Sequence, residues 1–234
     1  MTDPIQAIAF YAVFVFSVTI HEAAHAWAAM IGGDLTAYHG GQVSIDPIPH
    51  MKREPFGMVL LPILGIALSG FPFGYASAPY DPVWAERYPQ RAAWMALAGP
   101  GANLAMVIVA GLLVRAGVAA GYFATPHGIR FDQIVSAAGD GSGLAGGLAM
   151  LVSLFFSMNL LLFALNMIPL PPLDGSGALA LILPDAWIAR YRGLVQQPMV
   201  SLIGIVIVWN VIGEIFRPLF LGAVGLLYPG VSYG

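Results

Sequence analysis

The segment from Ile5 to Ile31 is almost wholly apolar, yet it carries the run His21-Glu22-Ala23-Ala24-His25. At about 1.5 Å per helical residue it is long enough to cross a hydrocarbon core of about 30 Å. Backbone polar groups in lipid must be satisfied within the segment, so it has to be helical. Ionisable side chains in such a place are costly and point to function.

Helical geometry sharpens the point. Positions four apart differ by only about 40° around the axis, so His21 and His25 project from one face a single turn apart and can share a metal ion. Glu22 lies beside them, where its carboxylate can take a proton from a metal-bound water without being a ligand. His-Glu-x-x-His on a helix is the zinc-hydrolase arrangement. The bland alternative is two histidines that only hydrogen-bond inside a bundle.

Composition agrees with the membrane reading: 59% of the residues are hydrophobic and 9% charged, against about a quarter charged in an average soluble domain. Small residues let membrane helices approach and proline kinks are tolerated there, which suits 28 Gly and 18 Pro. With no Cys, a metal has to be held by His and carboxylate. There is no basic run of the kind that binds nucleic acid. Met1-Thr2-Asp3-Pro4 lacks the positive start of a signal peptide, so the first span is expected to be retained.

Along the chain, Thr36 to Ile45 with its central Gly40-Gly41 reads as a small β-hairpin after the first helix. Phe56 to Phe71, broken by Pro62, Gly65 and Gly70, reaches only roughly 24 Å as a helix and reads as a thin span or a re-entrant element. Further spans are expected over Arg91–Gly121, Leu144–Ile168 and Met199–Tyr228. Glu214 and Arg217, three apart, read as a structural pair near a membrane edge. His39, His50 and His127 read as ordinary loop residues. The fold class is therefore an all-α polytopic membrane protein of about four to six helices, including a re-entrant element, and residues 1–234 form one membrane-embedded domain.

The fourth span ends in Asn166-Met167-Ile168-Pro169-Leu170-Pro171-Pro172-Leu173-Asp174-Gly175. Its prolines cannot continue a helix, so the chain opens and sets Asp174 on a bend. Two histidines and this aspartate leave one position for water, as catalytic zinc requires; the alternative is a plain Asp-Gly turn. For Asp174 to reach His21 and His25, the first and fourth spans should run parallel, which requires Phe56–Phe71 to be re-entrant. That topology places Lys52, Arg53, Arg87, Arg91, Arg190 and Arg192 on one side and Arg130 and Arg115 on the other. The positive-inside rule then puts the N-terminus outside and the metal site nearer the cytoplasm.

Together, His21-Glu-Ala-Ala-His25, Ala98-Gly-Pro-Gly-Ala-Asn103 and Asn166-x-x-Pro169-x-x-x-x-Asp174-Gly175 resemble the site-2 protease family of intramembrane zinc metalloproteases, in its short form without PDZ or CBS domains. The resemblance implies one Zn2+ held by His21, His25 and Asp174, with Glu22 as general base. It implies that Asn166, and Asn103 with it, bind substrate or the oxyanion; the alternative for both is an interhelical hydrogen bond. It also implies a single-span transmembrane protein as substrate, adaptor proteins as partners, contact with membrane lipid, and a prokaryotic cytoplasmic membrane as the location. Tyr75 and Ser77 depart from the family's Gly-Trp-Ala-Lys-Pro-like run. An unwound substrate is expected to pair as a strand with the Thr36–Ile45 hairpin. Two other classes stay open: a metal or proton transporter, with ligands strung along a path, and a catalytically inactive membrane scaffold.

Overall fold

The computed structural model describes residues 3–139, 143–231 and 233. Asp3 starts the first helix by accepting from the Ile5 N–H, and Pro4 takes the first-turn position where no N–H is needed. Helix α1 then runs Pro4–Ile31. We call the side where it begins the far side and the side where it ends the near side.

On the near side follow two short helices, α2 (Thr36–His39) and α3 (Pro47–Arg53). The hairpin expected at Thr36–Ile45 is not there. Asp34 Oδ1 accepts from both the backbone and the hydroxyl of Thr36 and starts a helical turn instead. Gly41 has a positive φ but Gly40 does not, and a tight type I′ hairpin turn needs both. The antiparallel pair lies later in the chain, between β1 (Phe123–Ala124) and β2 (Ser136–Ala137) on the far side.

Next comes a π-helical turn, Phe56–Leu60, continued by α4 (Leu61–Ser69). Gly70 ends α4 in the left-handed conformation, which favours glycine. The chain then folds back along the helix it has just left: Tyr75 N–H donates to Gly57 O, and Ser77 meets both Glu54 and Arg53. A Cβ on Gly65 would lie 2.6 Å from Phe71 O, and one on Gly57 would strike Tyr75 O. The segment is therefore re-entrant, leaving on the side where it started. Its tip reaches deep, for Phe71 packs edge-on against Phe10 of α1 and Phe131 of the far-side loop.

Helix α5 (Pro82–Arg87) leads into α6 (Pro89–Ala119), which starts level with the end of α1: Trp84 and Arg91 both donate to Gly32 O. After the β pair, α7 (Gly143–Asn166) returns from the far side. Short helices α8 (Asp174–Ala178) and α9 (Asp185–Val195), joined through a 3-10 turn at Leu179–Leu181, lead to α10 (Pro198–Leu227). Among the described residues, α1, α6, α7 and α10 are the four helices long and apolar enough to cross a membrane, within the range expected. Helices α1 and α7 run parallel, as the Asp174 argument requires, and α6 runs against both. Glu214 and Arg217 are both exposed and form no ion pair, so the expected structural pair is not made.

Candidate metal centre

The sequence folds its two motif stretches onto one point. His21 and His25 are buried on α1, and the proline-rich chain after α7 turns back to place Asp174 at the first position of α8. Gly175 lets α8 lie against the end of α7, since a Cβ there would sit 2.5 Å from Ile168 O. The three ligand-type atoms form a small triangle: His21 Nε2 to Asp174 Oδ2 is 3.0 Å, His25 Nε2 to His21 Nε2 3.0 Å, and His25 Nε2 to Asp174 Oδ2 3.3 Å. Four ligands at about 2.0–2.1 Å around a tetrahedral zinc stand about 3.3–3.4 Å apart. These residues fit such an ion.

Both rings are held from behind. His25 Nδ1 donates to Met95 O at 2.7 Å, and His21 Nδ1 contacts Asn103 Oδ1 at 2.5 Å. Each ring thereby turns its Nε2 to the common point, as metal-bound histidines do. The Ala98-Gly99-Pro100 stretch explains the fit on the α6 side. Pro100 has no N–H for Ala96 O, the carbonyl that follows the Met95 carbonyl bonded by His25. Gly99 presses its bare Cα against the histidines; a Cβ there would stand 2.6 Å from His21 Nε2 and closer to His25 Nε2, in the space between the ligands.

Glu22 is buried beside the triangle but is not one of its corners. It lines a cavity of about 460 Å³ together with His25, Asp174, Ser77, Tyr80 and Tyr191. The near-side elements α5, α8 and α9 wall this cavity, so it joins the buried ligands to the side that carries most of the cationic residues.

The two asparagines, which the resemblance gives to substrate or the oxyanion, have protein partners in this structure. Asn103 is fully buried behind the ligands, bonded to His21 and to Asn159 of α7. It makes the interhelical hydrogen bond and has no face on the cavity. Asn166 does not line the cavity either, and its amide donates to Leu162 O of its own helix. His50 is buried in α3 with Nε2 against Ser44 O. Sequence reasoning quoted Gly99 within a motif without giving it a role, and did not single out Met95, Asn159 or Ser17. The available signal was the polar or missing side chain of Gly99, Asn159 and Ser17 inside otherwise apolar helices.

Among known proteins, the chain is 29% identical over 162 residues to "Putative zinc metalloprotease YwhC" of Bacillus subtilis (strain 168), covering 69% of this chain and 63% of that protein. It is 30% identical over 184 residues to "Putative zinc metalloprotease Rip2" of Mycobacterium tuberculosis (strain H37Rv), covering 76% of this chain and 61% of that protein. The Rip2 of Mycolicibacterium smegmatis is 27% identical over the same length. The chain thus spans a little over three fifths of these relatives' own length, 61% to 63%. No solved structure matches it significantly. Residues 9–211, which contain both histidines of α1, Gly99 and Asp174, match Peptidase family M50 as one unit, and the chain belongs to that family.

Proposed function

We propose that this protein is an intramembrane zinc endopeptidase of the site-2 type, cleaving peptide bonds of single-span membrane proteins within or beside the bilayer. The observation that carries the reading is the convergence of His21, His25 and Asp174 within 3.3 Å of one another, with Glu22 at the wall of the same cavity. His21, His25 and Asp174 would hold Zn2+. When bound, zinc makes a water nucleophilic near neutral pH and polarises the scissile carbonyl. Glu22, at the wall of the same cavity, would serve as general base and then general acid, taking a proton from the attacking water and returning it to the leaving amine. The cavity admits water from the near side and the surrounding helices keep lipid out. On the described residues the ligand-type side chains meet at one point instead of marking a path, which favours an enzyme over a transporter.

The substrate has to give up its own helical hydrogen bonds before its backbone can react. The returning stretch 72–81 takes the place of the expected hairpin in this role: Ala76, Ser77 and Ala78 line the cavity, and the backbones of Ala76 and Ala78 have no hydrogen-bond partner among the described residues. An unwound segment adds there as a strand. Recognition draws on adaptor proteins or prior trimming of the substrate. The near side is the cytoplasmic side of a prokaryotic inner membrane, in keeping with its excess of Arg and Lys; cysteines at Ser44 and Tyr80 should both be labelled from the cytoplasm and neither from outside.

The deciding experiment is cleavage of tagged single-span substrates by purified protein, wild type against Glu22→Gln. Retained zinc with cleavage down by about 10²-fold or more in the mutant is expected. Equal cleavage in both would remove Glu22 as the base, and metal-dependent flux into vesicles without cleavage would replace the enzyme by the transporter.

A further inference from the structure

Behind the proposed zinc site lies a line of buried polar side chains drawn from three helices. His21 Nδ1 meets Asn103 Oδ1 at 2.5 Å, Asn103 Nδ2 meets Asn159 Oδ1 at 2.8 Å, and Asn159 Nδ2 meets both Ser17 Oγ at 3.0 Å and Phe155 O at 2.8 Å. Ser17, Asn103 and Asn159 are each 0% exposed. We propose that Asn159, supported by Ser17, is a positioning residue that acts through Asn103 to fix His21 in the tautomer protonated at Nδ1, leaving Nε2 free for a metal.

The direction of every bond in the line follows from its last member. The Phe155 carbonyl can only accept, so Asn159 must turn its amide nitrogen to it. The amide oxygen of Asn159 then points at Asn103, which must offer its own nitrogen. That leaves the Asn103 oxygen against His21 Nδ1, and since an amide oxygen only accepts, Nδ1 must carry the proton. Amide orientation is ordinarily an assignment; here donor and acceptor chemistry forces it. Flipping either amide would set two acceptors or two donors face to face in a fully buried site, where an unpaired polar group is costly. His25 gets the same tautomer from one backbone carbonyl, that of Met95. His21 has no backbone carbonyl in that place and gets it through two side chains.

The inference rests on the proposed zinc site only in that His21 is taken as a ligand; the tautomer itself can be read without metal. The tautomer is read in full-length Asp174→Ala protein in micelles, labelled with ¹⁵N-histidine, stripped of metal and held at a pH where the rings are neutral, because without metal the Asp174 carboxylate, 3.0 Å from His21 Nε2, would itself draw a proton to that atom. Two-bond ¹⁵N–¹H correlation distinguishes Nδ1–H from Nε2–H, and His21→Gln identifies the signal. With Asn103 and Asn159 intact, this protein should show His21 as Nδ1–H. Added to that protein, Asn159→Leu, similar in size but without the amide, should show a mixture at His21 with His25 unchanged; on its own, with Asp174 present, it should raise the zinc Kd measured by chelator competition about 10–100-fold. Asn159→Ser, too short to reach Asn103, should do the same and serves if the leucine variant is unstable. Adding Asn103→Asp to Asn159→Leu supplies a carboxylate that accepts from Nδ1–H without any need to be oriented, and should restore both readouts. His21 remaining Nδ1–H in both Asn159 variants, with zinc affinity within twofold of wild type, would overturn the proposal. A wild type that holds no zinc, beside an Asn159-dependent tautomer in the Asp174→Ala protein, would sink the metal reading and leave the relay standing.

Discussion

Helices α1 and α10 are of similar length, 28 and 30 residues, and both are apolar enough to span a membrane, yet 61% of the apolar window of α1 is buried in the protein and only 11% of that of α10. The buried helix is the more polar one. Its interior face carries Ser17, Thr19, His21, Glu22 and His25, all buried, whereas α10 offers exposed Leu202, Ile203, Val206 and Trp209. In water the apolar face would turn inward. In a bilayer lipid accepts the apolar face, and the polar groups collect where other helices can satisfy them. The chemistry thus resides on the helix that packs closely, and α10 is chiefly a boundary with lipid.

Paired glycine substitutions give the largest effect on that contrast. Gly99→Ala on α6 puts a methyl between the two Nε2 atoms, and purified protein should hold only traces of zinc, with cleavage down by more than about 10²-fold. Gly213→Ala on α10 meets nothing within 4 Å. It should leave zinc and cleavage unchanged and raise helix stability by about 0.5–1 kcal/mol. Zinc analysis of both proteins decides it: equal loss in the two, or none in Gly99→Ala, would mean that the α1–α6 contact is not as close as described.

A second pair measures packing. Leu154 on α7 is 0% exposed against α1 and the re-entrant segment, and Leu202 on α10 is 58% exposed. Truncating the first to Ala leaves a cavity, and about 2 kcal/mol should be lost even though lipid weakens the transfer component. Truncating the second should change stability by no more than about 0.5 kcal/mol. Unfolding in mixed micelles gives both values, and similar losses would show α10 to be covered by protein in its working state.

How much of this could be read from sequence depended on the range over which each signal acts. His21, Glu22 and His25 were legible because four-residue spacing on a helix fixes their geometry locally. Asp174 was legible because the prolines stop α7 and the motif lacked a ligand. The re-entrant turn followed from requiring α1 and α7 to be parallel, and the glycines at 57 and 65 turn out to permit it. The Thr36–Ile45 hairpin failed because an Asp34–Thr36 contact, not the Gly-Gly pair, sets the local backbone. The resemblance gives Asn103 to substrate or the oxyanion with an interhelical hydrogen bond as the alternative, and only the packing of α6 against α7 reveals that it spends both ends of its amide inside the bundle. Such contacts join residues far apart in the chain and leave no periodic trace.

The smallest expected effect concerns how the two helices are tied at the near side. The end of α1 is pinned: Asp34, 4% exposed, accepts from Thr36 and, through its other oxygen, from the Asp81 N–H that leads into α5. The start of α10 lacks any side-chain cap at Gln197. Burial alone would raise the Asp34 pKa, but the hydrogen bonds from Thr36 and Asp81 outweigh it and hold the carboxyl below its ordinary 3.8. A group depressed in the folded state stabilises above its unfolded pKa, and that contribution is lost as pH falls through the folded value. Asp34→Asn keeps the shape but removes one acceptor, so it should cost about 1 kcal/mol at pH 7. The difference from wild type should begin to shrink below about pH 4, as the wild-type carboxyl becomes neutral too. Unfolding followed from pH 7 to pH 3 tests this: a difference that stays constant throughout would mean that the charge of Asp34 contributes nothing to holding the end of α1, and that shape alone does.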